Sequence, residues 1–171
     1  MEKLAVVILN FNGVQHLKTH LPQVLKNSTP YDVIVADNGS NDDSLAYIKT
    51  LDGIKVIENK ENTGFASGYN NALKQIEGQY EFYLLLNSDV EVEPNYLSPL
   101  LNVMEDKNIA ACQPKILSLL RHSSFEHAGA CGGFIDKNYY PFCRGRIFDH
   151  VEDDFGQYDS EVYVTWTSGA A

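Results

Sequence analysis

Residues 4–9, Leu-Ala-Val-Val-Ile-Leu, form an unbroken apolar run rich in β-branched side chains. Such a run marks a strand covered on both faces, since a strand with one wet face alternates apolar and polar positions. A polar break at 10–13 follows. Leu17, Leu21, Val24 and Leu25 then fall on one side of a helix over 14–26, in which Pro22 predicts a kink or a later start. The alternation continues with a strand over 31–36 and a helix that turns Leu45, Ile48 and Leu51 inward, with Asp42 or Asp43 as its cap. A short strand over 54–58, an Asn- and Gly-rich stretch over 59–68, a helix from about 69 to 76 and a fourth strand over 81–86 come next. Pro94 opens a predicted helix reaching 106, and 109–114 reads as a further strand.

Strands alternating with helices predict an α/β fold, a mostly parallel sheet flanked by helices on both faces. Open sheets of this kind take ligands at the carboxyl ends of their strands. The polar breaks after the first, second and fourth strands therefore belong to one rim. The pattern weakens beyond residue 115 and divides the chain into 1–115 and 116–171. In the second part, 125–134 is rich in Gly and Ala, 139–148 is aromatic and basic, and Glu152-Asp153-Asp154 reads as a solvated loop. Tyr139, Tyr140 and Phe142 are expected to fill a core edge. Residues 162–166 look like a strand, and its position so close to the last residue suggests a truncated chain.

The 171 residues, 44% hydrophobic and 21% charged, suit one globular domain. A formal net charge of -10 argues against nucleic acid as a partner, because phosphate backbones are met by dense Lys/Arg surfaces. It does not exclude a nucleotide, whose diphosphate one divalent cation neutralises. The first apolar run is too short to span a bilayer and lacks the flanks of a signal peptide, so the expected location is cytoplasmic. Cys112, Cys131 and Cys143 form no C-x-x-C pair, which fits reduced thiols and no usual zinc pattern.

Four motifs on the rim carry candidate chemistry. In Leu84–Val90 a buried strand delivers Asn87, Ser88 and Asp89 to solvent. Asp89 is a hard anionic oxygen ligand of the kind a phosphate-bound metal needs, and Asn87 can bond a ribose hydroxyl. The alternative is a plain turn in which Asp89 caps the next helix. In 33–42, Asp37 is placed to accept the imide N–H of uracil or thymine, although Asn38-Gly39-Ser40 is also a common turn. In 61–73, Gly64 and Gly68 permit close backbone approach, and Asn62 and Asn70 offer donors and acceptors; the spacing is not G-x-G-x-x-G. In 9–13, Asn10 and Asn12 flank the ring of Phe11, which can pack beside a base. A nucleotidyltransferase would carry a basic, Gly-rich loop where Leu9–Gln15 has no Lys or Arg. An NAD-dependent oxidoreductase would carry its glycine fingerprint there. A non-catalytic nucleotide-sugar-binding module stays open.

Taken in order, VVILNFNG, VADNGSNDDS, NTGFASGYNNAL, LLLNSDVEV and VTWTSGAA resemble the family 2 glycosyltransferases of the GT-A (Rossmann-like) fold, in particular bacterial rhamnosyltransferase-like proteins of surface-polysaccharide synthesis. The resemblance implies an inverting transfer from a UDP- or dTDP-sugar to a glycan or lipid-linked acceptor. It places Asn10, Phe11, Asn12, Asp37, Asn62, Gly64, Asn70, Asn87, Ser88 and Asp89 around the nucleotide, with Asp89 on Mg²⁺ or Mn²⁺. It places Trp166, Ser168 and Gly169 at the donor and acceptor pocket, and makes 116–171 an incomplete acceptor-side portion. Asn87 stands where the family has the first acid of its Asp-x-Asp motif. The general base is expected on a helix beyond Ala171, so this chain is expected to bind donor without turnover. Peripheral association with the inner face of a membrane is expected of a longer protein.

Overall fold

The computed structural model describes residues 1–127 and 130–169. The chain divides into two compact units, Met1–Tyr96 and Leu97–Ala171, so the change of sequence pattern at 115/116 lies inside the second unit.

The first unit runs β1 (Glu2–Asn10), α1 (Val14–Ser28), β2 (Asp32–Asp37), α2 (Ser44–Ile48), β3 (Ile54–Glu58), α3 (Phe65–Gln75) and β4 (Tyr80–Asn87). The strands pair in parallel in the order β3-β2-β1-β4. The apolar run of β1 becomes an inner strand with Leu4 to Ile8 between 0% and 5% exposed. Ala5, Val7, Ile34, Ala36 and Ile57 share one face with Tyr69, Ala72 and Ile76 of α3 and its following residue. Alternation sends Val6, Ile8, Val33 and Val35 to the opposite face. There α1 and α2, which touch each other and β2, bring the buried Leu17, Leu21, Val24 and Ile48. Full burial stabilises each Val, Leu or Ile by about 1.5–3 kcal/mol, which is why both faces of β1 must be apolar.

Pro22 does not mark a later start of the first helix; it lies inside the 15-residue α1. Its ring and Lys18, whose carbonyl it leaves without an amide, are both exposed to water. α3 begins at Phe65, four residues before the expected start, because Gly64 turns the chain at φ 81° immediately ahead of it. Local composition reads 65–68 as loop, but the close seat of Gly68 against Asn38 favours helix there.

The second unit contains α4 (Leu97–Val103) and an antiparallel meander, β5 (Gly133–Ile135), β6 (Pro141–Cys143), β7 (Arg146–Ile147) and β8 (His150–Val151). Its core joins Phe125, Ala130, Cys131 and Cys143, with Leu117, Val151, Tyr158 and Trp166 packed against them. Several expectations are corrected. Residues 109–114 form no strand, and 162–166 pair only through an isolated bridge between Trp166 and Gly133. α4 starts three residues after Pro94 and stops before 106. Tyr139 and Tyr140 are 87% and 70% exposed rather than filling a core edge, since the Asp136 carboxylate accepts the Asn138 and Tyr140 amides and builds an outward turn. The acidic run is not freely solvated either. Glu152 accepts the Tyr158 hydroxyl, Asp153 accepts Ser124 and Arg121, and Asp154 pairs with Lys115.

Candidate functional site

The strand order places a topological switch between β1 and β4: the chain moves from β1 outward through β2 and β3, then returns to the other side of β1. Crevices at such points, outside the carboxyl ends of the strands, are where open α/β sheets bind ligands. The register aligns the polar ends there. Asn10 lies opposite Asp37, Asp37 opposite Glu58, and Leu9 opposite Asn87. Ser88 therefore follows into the row of Asn10 and Asp37. Two inter-strand spacings, roughly 10 Å, separate the two ends of that row.

The loop after β1 is fastened to the loop after β2. Asn10 is buried, and its Nδ2 donates to Asp37 Oδ2 at 3.1 Å and to Ser40 Oγ at 3.2 Å. The Asn12 amide donates to Ser40 Oγ, and Asn12 Oδ1 accepts the Asn41 amide at 2.7 Å. Asn12 holds φ 51°, a left-handed conformation that asparagine tolerates better than most residues. Phe11, carried on this loop, is 45% exposed. Gly13 closes the corner toward β4: a Cβ there would sit 2.5 Å from Asn10 Oδ1 and 3.5 Å from Ser88 Oγ. A side chain at position 13 would thus meet both the end of β1 and the residue after β4.

Asp37 is 3% exposed, with Oδ1 accepting the Ser40 amide at 2.9 Å and Oδ2 accepting Asn10. Each carboxylate oxygen has two acceptor positions, so one on each is not taken by the protein donors named here. Asp42 accepts the first amides of two helices, Val14 of α1 at 3.0 Å and Ser44 of α2 at 3.0 Å. Asp43 occupies the cap position of α2 but makes no capping bond with its side chain.

A chain of side-chain amides joins β2 and β3 to α3. Asn59 Nδ2 donates to Asn38 Oδ1 at 3.1 Å and to Gly68 O at 3.2 Å. Asn38 Nδ2 donates to Asn62 Oδ1 at 3.0 Å and to Gly64 O at 3.2 Å. Asn62 Oδ1 also accepts the Gly64 amide at 2.9 Å. Asn38 is 2% and Asn59 9% exposed, whereas Asn62, Gly64 and Asn70 lie at the surface. Gly39 completes the fit, because a Cβ at its φ of 76° would come within 2.7 Å of Glu61 Cα.

At the end of β4, Asn87 and Ser88 are half-buried and Asp89 is exposed. The Tyr69 hydroxyl donates to Leu86 O at 3.0 Å, tying α3 to this strand, and burial pushes its pKa up to about 12. α4 starts at Leu97, so Asp89 caps no helix, and the capping alternative falls. Among the described residues, Asp89 accepts no hydrogen bond and makes no ion pair, and no cluster of three or more His, Cys, Asp or Glu could hold a metal on protein ligands alone. A free carboxylate with open space around it fits a Mg²⁺ or Mn²⁺ ion whose other ligands are water and phosphate oxygens.

Trp166, Ser168 and Gly169 belong to the second unit. The indole of Trp166 lies on Gly133, where a Cβ would fall 2.0 Å from the ring, and its Nε1 donates to Phe134 O at 3.3 Å. The Ser168 amide donates to Gln113 Oε1. Ala170 and Ala171, the end of the VTWTSGAA motif, lie outside the described residues. In the sequence, Asn38 and Ser40 have the pattern of ordinary turn residues and Asn59 that of a polar loop residue. The one available signal was Asp37 followed three residues later by Ser40, the spacing of a carboxylate that accepts a turn amide.

The model of the family described as Glycosyl transferase family 2 matches residues 5–142. A low-salt glycan biosynthesis hexosyltransferase, Agl10 of Haloferax volcanii, is 23% identical over 120 residues, covering 69% of this chain and 38% of the relative. The mannosyltransferase PcManGT from Pyrobaculum calidifontis, solved with GDP-Man and Mn²⁺, superposes with a TM-score of 0.52 at 18% identity, covering 64% of this chain and 33% of that one. TarS 1–349 of S. aureus, solved with UDP-GlcNAc, gives 0.51 at 24% identity, covering 62% and 32%. The chain matches less than two-fifths of each of these proteins. At these identities the solved structures establish a shared fold, the GT-A arrangement of a parallel sheet with flanking helices.

Proposed function

The chain belongs to glycosyl transferase family 2, and we propose that its first unit binds the nucleotide of a nucleoside-diphospho-sugar donor. The observation that carries this reading is the convergence at the switch point: a buried carboxylate at Asp37 in the row of Asn10 and Ser88, and an unpaired one at Asp89, the residue after Ser88, on the far side of β1. A nucleoside diphosphate has a base at one end and a polyanion at the other, and it bridges such a row end to end.

Asp37 accepts the imide N–H of uracil or thymine on its spare acceptor positions, and Asn10 holds the carboxylate in place. Phe11, exposed beside it, packs on the base. Asn62, Gly64 and Asn70 line the base and ribose side, and Asn87 bonds a ribose hydroxyl. Asp89, with Ser88 beside it, holds Mg²⁺ or Mn²⁺ against the diphosphate. That cation supplies charge stabilisation to the departing nucleoside diphosphate. With Asn87 in place of a second acid, such an ion would be held by one protein carboxylate and would depend strongly on the phosphates. Manganese with GDP-Man in the mannosyltransferase and UDP-GlcNAc in TarS support a nucleotide-sugar as the ligand class.

The reaction served is an inverting transfer to a glycan or lipid-linked sugar in cell-surface polysaccharide synthesis, on the cytoplasmic side of the membrane. The acceptor hydroxyl attacks the anomeric carbon opposite the leaving diphosphate, and its proton passes to a general base. No described residue is assigned as that base. Trp166, Ser168 and Gly169 are proposed to border the sugar and acceptor. Among the described residues no helix is long and apolar enough to cross a membrane.

A thermal-shift panel of UDP, dTDP, GDP and NAD, each with and without Mn²⁺, tests the reading. A shift confined to one or two nucleoside diphosphates and enlarged by Mn²⁺ is expected. Stabilisation by NAD in preference to all three would overturn it.

A further inference from the structure

The amide chain at the β2 and β3 ends has a direction. Backbone N–H groups donate only, so the bond from the Gly64 amide identifies the bonded atom of Asn62 as its oxygen. That oxygen also accepts Asn38 Nδ2, which occupies both its acceptor positions. Asn38 can donate there because its own oxygen is taken by Asn59 Nδ2, and Asn59 is set in turn by Gly68 O. Gly64 thus orients Asn62 through its amide and Asn38 through its carbonyl, and Gly68 O adds a second hold on Asn38 through the buried Asn59. The NH₂ of Asn62 has no protein partner among the described residues, and the side chain is exposed on the rim.

We propose that Asn59 and Asn38 are positioning residues that lock Asn62 with its NH₂ outward, as a preset hydrogen-bond donor for an oxygen acceptor of the bound nucleotide. The proposal rests on the nucleotide-site reading above and adds the polarity of one contact. A surface amide free to flip offers an oxygen or an NH₂ with similar ease. This one offers only the NH₂, so it selects a ligand carbonyl or phosphate oxygen and opposes a ligand N–H at the same point.

The locked arrangement permits a substitution that separates recognition from structure. Asn62→Asp keeps an oxygen for Asn38 and Gly64 and replaces only the outward NH₂ by an anionic oxygen. Thr63→Asp puts the same charge on the neighbouring residue without that exchange. Calorimetry is performed on the 171-residue chain with UDP, dTDP and GDP in Mn²⁺, and with uridine as an uncharged probe. The expected result is at least tenfold weaker nucleotide binding in Asn62→Asp, an unchanged melting temperature, and binding within threefold of wild type in Thr63→Asp. Asn59→Ala should weaken binding as well, and the double variant Asn59→Ala/Asn62→Asp should lose less than the two single losses combined, because both act on one contact. A deficit also seen with uridine assigns the acceptor to the nucleoside, and one confined to the diphosphates assigns it to phosphate; either upholds the donor. Wild-type binding retained in Asn62→Asp, or an equal loss in Thr63→Asp, overturns this proposal alone. A wild-type chain that binds none of the four probes overturns the nucleotide-site reading and this proposal with it.

Discussion

Replacing Asp37 by alanine is the perturbation whose size follows most directly from the geometry. The carboxylate accepts the Ser40 amide at 2.9 Å and Asn10 Nδ2 at 3.1 Å, at 3% exposure. Alanine leaves the Ser40 amide without an acceptor and leaves Asn10 Nδ2 with only Ser40 Oγ. An unsatisfied buried donor costs about 1–3 kcal/mol. One full loss and one partial loss sum to about 2–4 kcal/mol, a large share of the roughly 5–15 kcal/mol that holds a domain together. With a urea dependence of about 2 kcal/mol per molar, the unfolding midpoint should fall by roughly 1–2 M. Asp37→Asn should cost much less. Asn10 Oδ1 is buried without a partner, so the Asn10 amide can turn over and accept from the new amide. Both variants should lose base discrimination more than phosphate affinity, which calorimetry against two nucleotides reads. An alanine variant with the wild-type urea midpoint would refute the claim that this carboxylate anchors the rim.

Other expectations follow from separate parts of the molecule. Asp32, Lys55 and Tyr80 bind one another at the opposite end of the sheet; the Lys55 ammonium and then the Tyr80 hydroxyl hold the Asp32 carboxyl below its usual range. A depressed carboxylate stabilises the fold above about pH 4 and loses that effect as acid carries the pH down through its folded value, so the stability gap between wild type and Asp32→Asn should close below about pH 4. Urea midpoints taken from pH 7 to pH 3 check this; a gap that widens in acid would contradict it. Ile34, fully buried on the α3 face, should cost about 2–5 kcal/mol when cut to alanine, read from the same denaturation curves. Gly133→Ala should expel the indole of Trp166, the sole tryptophan, and shift its fluorescence to the red; an unchanged spectrum would mean the ring does not rest on that glycine.

The first unit was legible because its signals are local and repeated. The unbroken apolar run of β1, the helical spacing of Leu17, Leu21 and Val24, and the polar breaks at 10, 37 and 87 each specify an element or its end. The rim followed from parallel pairing alone, which the register of β1 with β2 and β4 bears out. What stayed hidden depends on contacts distant in sequence. Asn59 reads as one more polar loop residue until β3 brings it to Asn38, 21 positions away. The meander over 133–151 has strands of two or three residues, too short to show a period. It is held by glycine contacts such as Gly133 on Trp166 and Gly145 on Phe125, which composition registers only as small residues. Residues 109–114 have the apolar content of a strand, but composition does not supply a partner strand, and among the described residues no strand pairs with them.

In the proposed site, Asp89 stands unpaired at the switch point to hold a cation against a diphosphate. Titration of UDP and dTDP into the wild-type chain and into Asp89→Ala, each with Mn²⁺ and with the metal removed by chelator, tests it most directly. Mn²⁺ should tighten binding to wild type by at least tenfold, chelation should abolish the gain, and Asp89→Ala should bind equally weakly in both conditions with its melting temperature unchanged. Metal-enhanced binding that survives in Asp89→Ala would contradict the account.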